Sequence, residues 1–131
     1  MKVKDMSFKE GQEFKVRVKP KDNCCSFAVN IGHDEENIAL HFNPRFEVGG
    51  DEHIIVMNSK SGDSWGDEQR DMNFPFCRGE ECKFHISFNM ERFYIKLPDG
   101  SMIDFPNRLG DVKYNHFHVV GDARIVGIKI K

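Results

Sequence analysis

The chain has 131 residues, about one domain's worth, enough to bury roughly two thirds of its unfolded surface without disulfide or metal staples. Nineteen Lys and Arg against 21 Asp and Glu leave a formal charge of −2, which excludes a global electrostatic drive toward nucleic acid or an anionic membrane. The apolar runs are only a few residues long, excluding a transmembrane helix, and no signal-like apolar stretch follows the basic N-terminus.

Alternation with a period of two runs from end to end, and no segment repeats apolar residues at helical spacing. In residues 13–19, Phe14, Val16 and Val18 face one way and Lys15, Arg17 and Lys19 the other. Phe27, Val29 and Ile31 alternate next, followed by Ile38, Leu40 and Phe42. After these come Ile55 with Met57, then Cys82, Phe84, Ile86 and Phe88. Phe93, Ile95 and Leu97 form a further set, with Phe117 and Val119 after it, and the last run alternates Val126, Ile128 and Ile130. Turn residues separate these segments, as at Ser61-Gly62-Asp63 and Pro98-Asp99-Gly100. A helical turn is expected near residues 110–115. Many short strands about 8–12 residues apart predict a single all-β domain, a sandwich or small barrel of antiparallel strands.

Cys24, Cys25, Cys77 and Cys82 read as free, partly buried thiols, and Cys77-x4-Cys82 has no companion pair for structural zinc. His116-x-His118 places two imidazoles on one strand face, read as solvent-facing rather than as metal ligands. The acidic run of Asp63, Asp67, Glu68 and Asp71 is interrupted by Arg70, which argues against calcium.

The informative segment is Leu40-His41-Phe42-Asn43-Pro44-Arg45-Phe46. Leu40 and Phe42 go to the core, so His41, Asn43 and Arg45 point together to the other side. Pro44, which has no N–H for a ladder, is expected to mark an edge or a strand end. In the next strand Val56 and Asn58 form the set opposite Ile55 and Met57, and Asn58 joins the polar face if the two strands pair. Trp65, the chain's one tryptophan, lies in the polar stretch Ser64-Trp65-Gly66-Asp67-Glu68-Gln69-Arg70, a context for an exposed ring with Glu68 and Arg70 on a shared face. An open indole beside an imidazole, amides, guanidinium groups and a carboxylate suits a sugar. The C–H face of a pyranose covers the indole, and its hydroxyls both donate and accept. A site built around the axial 4-hydroxyl of galactose leaves donors unpaired when that hydroxyl is equatorial, at about 1–3 kcal/mol for each group.

His41-Phe42-Asn43-Pro44-Arg45-Phe46, Asn58-Ser59-Lys60 and Trp65-Gly66-Asp67-Glu68-Gln69-Arg70 together resemble the galectin signature, and Phe105-Pro106-Asn107-Arg108-Leu109 continues the likeness. The resemblance implies a jelly-roll sandwich of two antiparallel sheets, with a groove for β-galactosides such as lactose or N-acetyllactosamine on the concave one. It gives His41, Asn43 and Arg45 the galactose 4-hydroxyl, Asn58 and Glu68 the 6-hydroxyl, and Trp65 the ring face. Arg45, Glu68 and Arg70 would also reach the second sugar, and Ser26 and Val56 would lie near the groove. No metal, cofactor or catalytic residue is implied. Gly49 stands where many relatives carry histidine, a departure that bears on contacts beyond galactose.

The resemblance further implies a homodimer through the terminal strands, with Val3, Met6 and Phe8 pairing with residues 126–130, although Lys2, Lys4, Lys129 and Lys131 crowd those ends. It implies synthesis in the cytoplasm and export without a signal peptide. A disaccharide of about 23 heavy atoms at about 0.3 kcal/mol each bounds one site near 7 kcal/mol, on the order of ten micromolar or weaker. Two rivals stand beside this reading. One is a glycoside hydrolase using Glu68 with Asp67 or Asp71, which Arg45 and Arg70 beside Glu68 would disfavour by depressing the acid's pKa. The other is a lens-type or scaffold protein that keeps the fold with weak or repurposed sugar binding.

Overall fold

The computed structural model describes Lys2, Val3 and residues 7–131, with side chains from residue 7 onward. Strands run in the order β1 (Lys2–Val3), β2 (Phe8–Lys9), β3 (Phe14–Pro20), β4 (Phe27–Gly32), β5 (Ile38–Val48), β6 (Asp51–Ser61) and β7 (Ser64–Trp65). They continue as β8 (Gln69–Asp71), β9 (Cys82–Phe88), β10 (Arg92–Lys96), β11 (Met102–Pro106), β12 (Lys113–Tyr114), β13 (His116–Gly121) and β14 (Ala123–Ile130). Seven strands form one sheet in the order β1-β13-β4-β5-β6-β7, with β8 also paired to β6. Five form the second, β11-β10-β9-β3-β14, and β12 and β2 make a short ribbon. Every strand pair is antiparallel.

The core lies between the sheets, where alternate side chains meet. Phe14, Phe27, Phe42, Phe84, Phe93, Phe105 and Phe117 are almost completely buried. Their rings pack edge-on or offset, as where Phe14 stacks on Phe117 at 4.7 Å. Burying side chains of this kind contributes roughly 1.5–3 kcal/mol apiece, which fixes the register of both sheets and hence which residues face outward.

Three local expectations need correction. Residues 110–115 form no helical turn; Tyr114 is fully buried in β12, and its hydroxyl donates to Asn107 Oδ1 at 2.6 Å. Pro44 does not end its strand, because β5 continues to Val48 against β6. The register of β4 on β5 sets Phe27 opposite Pro44, and the Asn43 side-chain amide donates to the Phe27 carbonyl at 2.8 Å in place of the missing N–H. In β14 a bulge at Val126 shifts the alternation, so Ile125, Ile128 and Ile130 pack on the core. Phe8 is completely buried and paired with Tyr114, Val3 pairs with Phe117, and Met6 and Lys4 lie outside the described residues.

Candidate functional site

The outer face of the seven-stranded sheet carries the predicted polar row. Antiparallel pairing aligns Asn30, His41 and Asn58 across β4, β5 and β6, while Asn43, Val56 and Arg70 align across β5, β6 and β8. Neighbours in such a ladder stand about 4.8 Å apart and successive outward residues about 7 Å along the strand. Trp65 reaches this face through a tight hairpin. Gly62 (φ 56°) and Asp63 (φ 67°) are both left-handed, the geometry of a type I′ turn, and the turn sets Trp65 opposite Lys60 on the Asn58 side. Trp65 is half exposed, and its ring lies 4.8 Å from that of His41 and 5.0 Å from the Lys60 ammonium.

A groove of about 430 Å³ is lined by His41, Arg45, Val56, Asn58, Trp65, Gly66 and Glu68. Asn43 and Arg70 are not part of this lining but bond to residues of it. Asn43 Oδ1 accepts from Arg45 Nε at 2.9 Å. Arg45 Nη1 and Arg70 Nη1 donate to the two oxygens of Asp51, each at 2.7 Å, and Arg70 Nη2 donates to Glu68 Oε1 at 3.0 Å. The two guanidinium groups thus sit between two carboxylates, and their hydrogen bonds hold the Asp51 carboxyl below the usual carboxylate range. Glu68 meets Arg70 and not Arg45, contrary to the expectation that both arginines flank it. Ser26 is absent from the groove lining; its backbone bridges to Arg45 at the sheet's margin.

His41 is fixed on its far side by Asn30, whose Oδ1 lies 2.5 Å from Nδ1. A carbonyl oxygen accepts, so Nδ1 carries the proton and Nε2 presents a lone pair. Burial, followed by the Arg45 and Lys60 charges, pushes the imidazole pKa down to about 4, so the ring is neutral at physiological pH. Asn58 donates from Nδ2 to the Gly66 carbonyl at 2.9 Å, and its Oδ1 accepts from the Ser59 amide at 2.8 Å and from Arg108 at 3.2 Å. This leaves the second Nδ2 hydrogen for a ligand. Arg108 also donates to Ser59 Oγ at 3.2 Å and to the Asp67 carbonyl at 2.8 Å, tying the loop that carries Trp65 and Glu68 to β6. A Cβ at Gly66 would stand 2.9 Å from Arg108 Nη1, so a side chain there would push the guanidinium off Asn58 and Ser59.

Asn30, Asp51 and Arg108 were not singled out for the site from the sequence. Asp51 and Arg108 lie in a turn region and a distant loop, where alternation carries no signal. Asn30 was legible in principle, as the outward residue between Val29 and Ile31. His116 is buried rather than solvent-facing, with its ring 6.2 Å from that of His118. All four cysteines are free. Cys24 and Cys82 are pushed by burial up to about 11 and about 12, while Cys25 and Cys77 are exposed.

A sequence model of the family described as galactoside-binding lectin matches residues 1–130. A β-galactoside-binding lectin of Electrophorus electricus is 49% identical over 126 residues, covering 96% of this chain and 93% of that one. The crystal structure of a Dario rerio galectin-1-L2 superposes with a TM-score of 0.97 at 46% identity, covering 98% of both chains. Congerin II liganded with lactose and MES gives 0.97 at 32% identity, covering 100% of this chain and 98% of that one. CG-16, a homodimeric agglutinin from chicken liver, gives 0.95 at 37% identity with the same coverage. With its jelly-roll sandwich and signature residues gathered on one sheet face, the chain belongs to the galactoside-binding lectin family, the galectins.

Proposed function

We propose that residues 1–131 form one carbohydrate-recognition domain that binds β-galactosides of the lactose and N-acetyllactosamine type without a metal. The observation that carries this reading is the meeting of His41, Arg45, Asn58 and Glu68 with a half-exposed Trp65 around one groove. In it the galactose C–H face lies on the indole. His41 Nε2 accepts from the axial 4-hydroxyl while Arg45 donates to the same oxygen, with Asn43 fixing the guanidinium. Asn58 Nδ2 donates to the 6-hydroxyl and the free oxygen of Glu68 accepts. Arg70 and Glu68 extend toward the second sugar, and Val56 supplies an apolar floor. Because the polar groups are already tied to one another, little side-chain entropy remains to be lost on binding.

The groove is read as a binding site and not a hydrolytic one, since Glu68 is the sole carboxylate among the described residues that line it and hydrolysis calls for two flanking the scissile bond. Retention on a lactosyl resin with elution by free lactose tests the assignment, and complete flow-through would leave the scaffold reading. Steady dye release from a chromogenic galactoside would overturn the non-enzymatic one. A homodimer is supported by the placement of β1 and β14 at sheet edges, where a second copy can add strands. Two sites per dimer turn weak single contacts into crosslinking. Sedimentation at micromolar concentration tests this. Synthesis in the cytoplasm with export to the extracellular space follows from the family resemblance and is tested by fractionating cells and medium.

A further inference from the structure

The outer face of the five-stranded sheet, opposite the galactoside groove, carries charges that the proposed function does not use. Lys129, Lys15, His85 and Lys96 are successive cross-strand partners through β14, β3, β9 and β10, a line of about 14 Å at ordinary strand spacing. In the next row Arg17 faces Lys83, and beyond it Lys19 faces Arg124. Like charges directly opposite each other destabilise a ladder, and three such pairs occur here: Lys15 with Lys129, Arg17 with Lys83, and Lys19 with Arg124. Counter-charges are sparse. Among the described residues Glu81 lies 3.5 Å from Arg17 and Glu13 lies 3.9 Å from His85, and neither Lys15, Lys83, Lys96 nor Lys129 has an ion-pair partner. The buried Nε of Arg17 makes no hydrogen bond among them either.

The sheet also has a receptacle on this side. At the β14 bulge, Gly127 presents no side chain opposite Arg17, and a cavity of about 190 Å³ opens between Lys15, Arg17, Gly127, Ile128 and Lys129. A Cβ on Gly127 would meet no atom within 4 Å. We propose that this face is a second binding surface, for a linear sulfated polysaccharide, with one sulfate seated in the notch between Lys15, Arg17 and Lys129 and the chain following the row toward Lys96. Guanidinium and ammonium groups suit sulfate oxygens by charge and by hydrogen bonding. No exposed aromatic ring stands in these rows to stack a base, as single-stranded nucleic acid would require. The one largely exposed apolar side chain here, Met102, lies at the row's end, which disfavours insertion into a bilayer.

The test applies the full chain to heparin-agarose at about 0.15 M salt with lactose saturating the groove. Retention is expected, with elution by salt and a log–log salt slope of about −2 to −4. Flow-through of the unmodified protein, displacement by lactose, or equal binding to desulfated heparin would overturn the proposal. Gly127→Asp places a carboxylate in the notch without removing a contact, and Lys83→Glu with Lys96→Glu acts far from the β14 edge. Each is expected to weaken heparin binding at least about tenfold while lactose affinity stays unchanged, which also certifies the fold. Unaltered heparin affinity in both variants would refute the surface. Tighter binding to phosphatidylserine vesicles or single-stranded RNA than to heparin would refute the choice of occupant.

Discussion

The two outer faces of the sandwich use charge in opposite ways. On the seven-stranded sheet Arg45, Asp51, Arg70 and Glu68 are bonded one to the next, so the groove is charged yet locally neutral and fixed in shape. On the five-stranded sheet most cations stand without a carboxylate among the described residues, in rows of like sign. The first arrangement suits the hydroxyls of a neutral sugar, for which a donor left unpaired is costly. The second has little orienting power and a long-range, salt-sensitive pull on anions.

That contrast is open to graded attack. The largest effect is expected from Trp65→Ala, which should abolish retention on a lactosyl resin, a loss of at least about a hundredfold. The melting temperature should move by no more than a few degrees, because the ring is half exposed; a collapsed fold would mean that the indole is core. Next, Asp51→Asn should release both guanidinium groups and weaken lactose binding on the order of tenfold by calorimetry, with the circular dichroism spectrum unchanged. Arg108→Met, acting through Asn58, Ser59 and the Trp65 loop, should cost several-fold in affinity and leave the fold intact.

A fourth prediction concerns pH. The native pKa of His41 lies near 4, below the unfolded value of 6.5, so the unfolded chain takes up the proton first. Its contribution to stability is therefore complete above about pH 6.5, falls by up to ~3 kcal/mol as pH drops toward 4, and levels off below. Urea unfolding as a function of pH, with His41→Gln as the control that removes this slope, checks it. Lactose affinity should stay level down to about pH 5 and fall as Nε2 is protonated near pH 4.

How much of this was legible beforehand depends on the kind of signal. The strands of the core, and the common face of His41, Asn43 and Arg45, follow from alternation, because burial of Leu40 and Phe42 leaves their neighbours no other side. Trp65 announced itself by lying in a polar stretch. Asp51 and Arg108 did not, because they act on residues up to 50 positions away and are brought in by a hairpin and a distant loop. The β14 bulge and the Asn43 amide that substitutes for the missing Pro44 N–H are local backbone solutions that no period encodes. The buried His116 sits opposite Gly32, and its burial comes from packing rather than from its own polar pattern.

A crystal of the full chain soaked with lactose tests the central claim most directly. The galactose ring is expected to lie flat on Trp65, with its 4-hydroxyl in hydrogen-bond contact with both His41 Nε2 and Arg45. Galactose bound elsewhere, or seated with that hydroxyl turned away from both side chains, would contradict it.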